Sequence, residues 1–324
     1  MSDDASSLDR FTRTAEIAAG DVIGTYSTSF GLATRLLGVR HRQHVRSIYA
    51  MVRVADEIVD GVAAEAGLSV VEQSEALERY VADTHRAMRV GYSSDLVIHA
   101  FARTAREAGI DESLTQPFFD SMRADLGEGT LAEDAAAAGE THAGTDAAAP
   151  ESEPTQRPAP HAYDAEAHAR YVHGSAEVVG LMCLRVFLRG RSLTGDERDR
   201  LEFGARQLGA AFQNINFLRD LADDTDRLGR SYLSADDRLS DADRDTWVGT
   251  VRAQLDDARA VIPLLPKDAR AAVRSALALF AALTDRVDRT PAEDLYTTRV
   301  RVPDPVKAGL AARALITTWM ERDS

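Results

Sequence analysis

The sequence predicts an all-α protein, and three observations carry that prediction. Ala, Leu, Arg and Glu dominate the composition, whereas aromatic residues make up only 6%; these are strong helix formers. No stretch sustains the two-residue alternation of a half-buried strand. Proline is absent from residues 1–116 and again from 161–262, so long helices can run there without losing an amide donor.

Bulk properties narrow the class further. A chain of 324 residues fits one large helical domain and is long enough to bury a core that encloses an apolar ligand. It carries 38 basic and 52 acidic residues, a net charge of −14, which argues against the basic face that nucleic-acid binding needs. Any anionic ligand would therefore meet a local basic or metal-bearing pocket. Cys183 is the single cysteine, so neither an internal disulfide nor a cysteine zinc cluster can form. It sits among Leu181, Met182 and Leu184 and reads as a packed thiol rather than a nucleophile. The chain opens on Ser2, Asp3 and Asp4, unlike a secretory leader, and has no apolar run of about 18 residues. The expectation is a cytoplasmic protein in a reducing compartment.

From the N-terminus, the first informative helix is Val45 to Asp60. Val45, Ile48, Val52, Ala55 and Val59 form an apolar stripe at spacings of three and four. Beside it runs a second stripe, Tyr49, Arg53, Asp56 and Asp60, whose side chains stack on one face. Just before this helix, the basic run Arg40, His41, Arg42, His44 and Arg46 reads as a solvated loop and helix start; contact with anionic lipid is the other use for such a run.

Next comes a change of composition. From about Gly127 to His161 the chain is rich in Ala, Gly, Thr and Glu, and contains Pro150, Pro154, Pro158 and Pro160. This segment reads as a flexible excursion inserted in one domain, because a long loop adds little closure entropy.

Beyond it, Leu208 to Asp226 repeats the logic of the first helix. Gly209, Gln213, Asn216, Asp220 and Asp224 align at spacings of three and four, while Ala210, Ala211, Phe212, Ile215, Phe217, Leu218 and Leu221 surround them. A helix apolar over most of its circumference is central and buried, and buried carboxylates need a partner or a metal. A lone D-x-x-x-D is ordinarily a solvated acidic face. Here the neighbours are Gln, Asn, Tyr and Gly rather than Lys and Glu, and the spacing occurs twice, which suggests two facing walls of one cavity. Mg²⁺ takes oxygen ligands and commonly bridges carboxylates to phosphates. Arg53 and Arg219 could clamp phosphate oxygens, and an apolar remainder would keep water from a hydrocarbon cation.

These blocks resemble the phytoene/squalene synthase family. Tyr26–Phe30 (YSTSF) resembles its diphosphate loop, and YAMVRVADEIVD from Tyr49 its first aspartate motif. YVHGSAEVVGLM from Tyr171 resembles its tyrosine block, and QNINFLRDLADD from Gln213, followed by Gly229 to Leu233, its second aspartate motif. Weaker similarity continues through Arg299 to Lys307. The resemblance implies an isoprenoid-synthase helical bundle around a central cavity, spanning residues 10–324 as a single domain with the insertion at 127–161. It implies that Asp56, Asp60, Asp220 and Asp224 hold Mg²⁺, with Mn²⁺ an acceptable substitute. Ser27, Ser29, Phe30, Tyr49, Arg53, Gln213, Asn216, Arg219, Arg230 and Tyr232 would contact substrate, with Tyr296 a looser match. Tyr171 would lie near the reacting carbons.

The implied reaction is head-to-head joining of two geranylgeranyl diphosphates to phytoene through a cyclopropylcarbinyl diphosphate, with no NADPH needed, and hand-off to downstream carotenoid enzymes. A fifteen-carbon squalene or dehydrosqualene synthase is the nearest alternative, and a catalytically silent helical assembly factor the alternative of another class. Thr34, one turn past Phe30, stands where fifteen-carbon relatives place a large aromatic residue, and would permit a deeper pocket. Glu177 and Ala55 depart from the family pattern; Glu177 reads as a paired helix residue. His173 reads as a hydrogen-bonded core imidazole, and Trp247 and Trp319 carry no signal. Contact with the inner membrane face is compatible with the basic run.

Overall fold

The computed structural model describes residues 6–59, 61–140, 165–228 and 238–321; for 28–29, 128–140 and 222–228 only the backbone is described. Among the described residues there is no strand, as the composition predicts. The helices are α1 (Ser7–Tyr26), α2 (Thr28–Arg35), α3 (Val39–Val59), the single turn α4 (Val62–Glu65), α5 (Val70–Val90), α6 (Leu96–Ala108) and α7 (Glu112–Glu140). They continue with α8 (Ala165–Val172), a π-helical turn (His173–Glu177), α9 (Val178–Phe187), α10 (Gly195–Leu228), α11 (Asp241–Val261), α12 (Lys267–Asp288) and α13 (Asp304–Met320). Short 3₁₀ turns follow α11 (Ile262–Leu264) and α12 (Ala292–Tyr296). Helix starts are fixed locally: Ser6 and Ser69 each close a capping box, with Asp9 and Glu72 respectively, satisfying amides that the helix leaves bare.

The first part of the excursion expected at about 127–161 is helical, because α7 continues to Glu140. Ala135–Ala138 are the strongest helix formers, which extends the helix through a stretch that has no apolar face. The remainder of the insertion lies outside the described residues.

The apolar core has two main bodies. One gathers α3, α5, α6, α7 and α9 around Phe101, Phe118 and Phe119; the other joins α10, α11 and α12 around Ile215, Leu218 and Leu255. Their relative direction decides the site. The π turn and α9 run against α10, because Gly180 meets Ala205 while Ala176 meets Gly209. The far end of α9 meets the start of α3, where the Phe187 and His41 rings lie 5.4 Å apart edge to face. Both α3 and α10 are thus antiparallel to α9, and so parallel to each other.

The basic run before α3 also differs from expectation. It is helical from Val39, and His41 and His44 are buried. Arg40 makes a bidentate pair with Asp268 (2.7 and 3.0 Å), and His41 reaches the same carboxylate at 3.2 Å. The run fails as a solvated loop because the turn of the helix sends both imidazoles inward. His44 accepts from Arg189 Nη1 through Nε2 at 2.6 Å, which leaves its Nδ1 proton for Thr104 Oγ1 at 2.9 Å.

Burial, with repulsion from Arg189, pushes His44 down to about 4 against the pull of Glu107. Burial also lowers His41, His85, His99 and His168. Each of these groups takes up a proton at higher pH when unfolded than when folded. Between about pH 6.5 and pH 4 the unfolded chain therefore binds more protons, and stability falls as pH falls through that window. His44 alone accounts for a loss of up to about 3 kcal/mol, complete only below about pH 4. The denaturant midpoint is expected to drop markedly between about pH 7 and pH 5; a midpoint that stays level would show these imidazoles to be protonated in the fold.

Candidate functional site

A cavity of about 1170 Å³ lies between the two core bodies, lined by α2, α3, α7, the α8–α9 segment, α10, α12 and the chain from Arg299 to Lys307. That exceeds the usual range for small-molecule pockets, about 300–1,000 Å³. Along α3 its lining passes from Val45, Ile48 and Val52 to Arg53 and Asp56; along α10 it passes from Leu201, Leu208 and Phe212 to Gln213, Asn216 and Asp220. Since α3 and α10 are parallel, the two polar halves share one end of the cavity and the two apolar halves the other.

At the polar end, Ser27 caps α2, its Oγ accepting from the Phe30 amide at 3.0 Å. Burial raises the Tyr49 hydroxyl, against the pull of Arg53 and a hydrogen bond with Ser27. Arg53 lies 4.7 Å over the Tyr26 ring and is paired with Glu57 one turn on. Asp220 is held by two guanidiniums. Arg219 donates through Nε at 2.9 Å and Nη2 at 2.5 Å, and Arg299 Nε lies 3.0 Å away.

The opposite wall is α8, the π turn and α9. Tyr171 donates its hydroxyl to Asp125 Oδ2 at 3.2 Å, and Asp125 is only 5% exposed. Ser175 also lines the cavity, and its buried Oγ has no hydrogen-bond partner among the described residues. The π turn lets this wall approach closely. A β-carbon on Gly174 would collide with the Pro117 carbonyl oxygen, and one on Gly209 would sit 2.5 Å from that of Ala176. Cys183 faces the cavity, and burial pushes its thiol up to about 12, so it is a packing group with no thiolate, as the sequence suggested. Toward the apolar end, Phe212 and Phe280 stack at 3.7 Å and Phe30 lies 5.8 Å from each.

The structure thus brings together Ser27, Phe30, Tyr49, Arg53, Asp56, Tyr171, Gln213, Asn216, Arg219 and Asp220. Asp60, Arg230 and Tyr232 lie outside the described residues, as do the side chains of Ser29 and Asp224. Tyr296 is not brought in. It is absent from the cavity lining, and its hydroxyl accepts instead from the Leu239 amide at 2.8 Å, because the 3₁₀ turn that carries it packs on α10 and the start of α11. His173 is neither a cavity group nor a core imidazole. Its side chain is 45% exposed and pairs with Glu177 at 2.9 Å, since the π turn places those two residues side by side at the surface; Glu177 is paired, as its sequence context suggests. Asp125, Arg299, Arg301 and Lys307 also line the cavity, and no motif singles them out as site residues. The similarity over Arg299 to Lys307 is the one signal pointing to three of them.

The donor set suits a hard divalent cation. Asp56 and Asp220 supply carboxylate oxygens, and the buried Asn216 Oδ1, one turn from Asp220, has no hydrogen-bond partner among the described residues. An orphaned buried acceptor is costly unless something fills it, and oxygen-only donors are what Mg²⁺ takes. Among the described residues, no three acidic, His or Cys side chains are already gathered around a cation-sized gap.

The helical arrangement is the isoprenoid-synthase fold. A dehydrosqualene synthase solved with a ligand superposes with a TM-score of 0.69 at 19% identity, over 96% of this chain and 99% of that one. A squalene synthase from Alicyclobacillus acidocaldarius gives 0.64 at 16% identity, over 88% and 96%. At such identities the likeness shows the fold alone. A squalene/phytoene synthase family model matches residues 23–305, and the chain belongs to that family. Chloroplastic phytoene synthase 3 of Zea mays is 26% identical over 319 residues, which cover 93% of this chain and 65% of the relative. Chloroplastic phytoene synthase 1 of Arabidopsis thaliana is 24% identical over 286 residues, covering 83% and 58%. The chain therefore spans less than two thirds of the length of these relatives.

Proposed function

We propose that this chain is a prenyltransferase that joins two geranylgeranyl diphosphates head to head to give phytoene. The observation that carries this reading is the polarity of the cavity: Arg53 and Asp56 share one end with Asn216 and Asp220, while the other end is hydrocarbon. An allylic diphosphate has the same polarity.

Asp56, Asp60, Asp220 and Asp224 would hold Mg²⁺, with Asn216 completing an oxygen set. Bound there, the cation would neutralise the leaving diphosphate. Arg53, Arg219 and Arg299 would meet the phosphate oxygens as charge-assisted donors, leaving Glu57 and Asp220, their partners in the resting state. The Phe30–Phe212–Phe280 wall would exclude water from the carbocation. Tyr171, fixed by Asp125, would steer rearrangement and proton loss. Loss of two diphosphate anions and two protons, one as the cyclopropane closes and one as the central double bond forms, balances two substrates against phytoene, so no hydride donor, and hence no NADPH, is called for.

The test is incubation of purified chain with Mg²⁺ and labelled farnesyl or geranylgeranyl diphosphate. Phytoene from the twenty-carbon substrate is the expected product. A thirty-carbon hydrocarbon would assign the fifteen-carbon substrate instead, a longer diphosphate would make the enzyme a chain elongator, and no product would leave a non-catalytic helical factor.

Thr34 gives a second test. It is 4% exposed, lines the cavity, and donates to the Gly31 carbonyl at 3.0 Å. Thr34→Phe fills that space, and overpacking of about 1–3 kcal/mol against the longer substrate corresponds to a loss of roughly five- to 150-fold in phytoene formation. Undiminished phytoene output would show that chain length is set elsewhere.

A further inference from the structure

The solvent side of α13 is apolar where a surface helix should be polar. From Ala308 to Met320 the only ionisable side chain is Arg313. Ala311, Ala314 and Thr318 are buried, where the helix packs on α12. The other side leaves Leu315 46%, Ile316 56%, Met320 63% and Trp319 82% exposed. Helices that are apolar on every side are ordinarily covered, and a contiguous exposed apolar patch marks a contact surface.

What lies beside this patch identifies the occupant. Arg274 and Arg270 of α12 grip Glu321 at the end of α13, and Asp268, at the start of α12, binds Arg40 and His41. The end of α13 thus lies at the same end of the molecule as the start of α3, where Val39 is 84% exposed. Val39, Arg42 and Arg46 recur at spacings of three and four along α3, and Arg35 of α2 adjoins them, its carbonyl accepting from Arg42 at 3.0 Å. Burial and the repulsion of Arg42 and Arg35 together pull Arg46 down. Among the described residues the buried Nε atoms of Arg42 and Arg46 have no hydrogen-bond partner, Arg42 Nη2 donates only to the Arg35 and Leu37 carbonyls, and none of the three arginines meets a carboxylate. The nearby carboxylates Asp268 and Glu321 are already committed to other cations. A chain of net charge −14 therefore shows an unneutralised cationic cluster next to its most exposed apolar residues.

We propose that this end of the molecule, the outer side of α13 with the Arg35–Arg42–Arg46 cluster, rests on an anionic lipid bilayer. Trp319, Ile316 and Met320 enter the headgroup boundary, where amphipathic aromatic rings are at home, and the arginines meet lipid phosphates. A second copy of this chain fits less well. A two-fold interface sets a patch against itself, which would oppose one arginine cluster to the other. The few large apolar residues also fall far short of the roughly 20–30 residues a side of a stable dimer. The surface is the outer side of α2, α3 and α13, elements whose inner sides line the cavity. The proposal does not depend on which substrate the cavity takes.

The test uses the full chain, without substrate, in a Trp247→Phe background, so that Trp319 is the only emitting indole. The chain is expected to sediment with phosphatidylcholine vesicles that carry phosphatidylglycerol and to stay in solution with phosphatidylcholine alone. Trp319 emission should move to the blue on binding, and added salt should reverse both effects. Ile316→Ser with Trp319→Ser should lower the partition coefficient at least about tenfold, and Arg35→Glu about fivefold or more, with thermal melts unchanged. If the serine variant unfolds, the emission shift of the parent decides. No binding to either vesicle, equal binding by the serine variant, or a concentration-dependent dimer that this variant disperses would each overturn the proposal.

Discussion

Replacing Asp220 with asparagine is expected to cut turnover about a thousandfold or more, from the several kcal/mol that a cation and its ligand supply to a departing anion. The substitution keeps the volume and one oxygen, so the wall of α10 should stay in place. Stability should change little, because the Asp220 pairs with Arg219 and Arg299 are part-exposed, with side-chain exposures of 19%, 26% and 41%. Such pairs contribute no more than about 1 kcal/mol. Steady-state rates measured beside thermal melts separate the two effects. A variant that keeps turnover within tenfold of the parent would remove Asp220 from the reaction, and with it the polar end of the cavity as the diphosphate site.

The second large effect concerns the seam on which the cavity wall is built. Gly209→Ala places a methyl group 2.5 Å from the Ala176 carbonyl oxygen, with main chain on both sides and no flexible side chain to yield. The helices must separate, at a cost of about 2–3 kcal/mol, which lowers the melting temperature by roughly 5 °C. Turnover should fall too, since Gly209, Ser175 and Ala176 all line the cavity. Gly249 is the internal comparison. It lies exposed in α11, and a methyl group added there would meet nothing within 4 Å, so Gly249→Ala should stabilise by about 0.5–1 kcal/mol. Equal responses from the two variants would mean that the seam has slack.

How far this arrangement is legible in the sequence depends on periodicity. The stripes of α3 and α10 can be read because a helix repeats every 3.6 residues, so Arg53 with Asp56 and Asn216 with Asp220 declare their shared faces. That the two helices run parallel, which is what joins their polar halves, follows from contacts through Ala176, Gly180 and Phe187 that no local pattern encodes. Asp125 escapes notice because a single acid in a helix after Arg123 looks like any solvated charge; its burial comes from α7 packing on the π turn. Arg299 lies in non-helical chain, where no repeat marks an inward direction. The basic run misleads for the opposite reason: its charges are legible, but the inward turn of His41 and His44 is not.

The π turn at His173–Glu177 carries one more residue than an α-helical turn would, held without any break in the helix. That surplus sets the angular phase between two lengths of a single rod. Tyr171 upstream and Cys183 downstream face the same interior only because the extra residue takes up the difference. Deleting one amino acid there would let the turn close as ordinary α-helix with Val179, Cys183 and Phe187 still facing the interior, whereas a deletion elsewhere in α8 or α9 would swing everything after it by about a quarter turn. A one-residue deletion should therefore be better tolerated across these five positions than elsewhere in α8 or α9, a constraint that belongs to the count of residues more than to their identities.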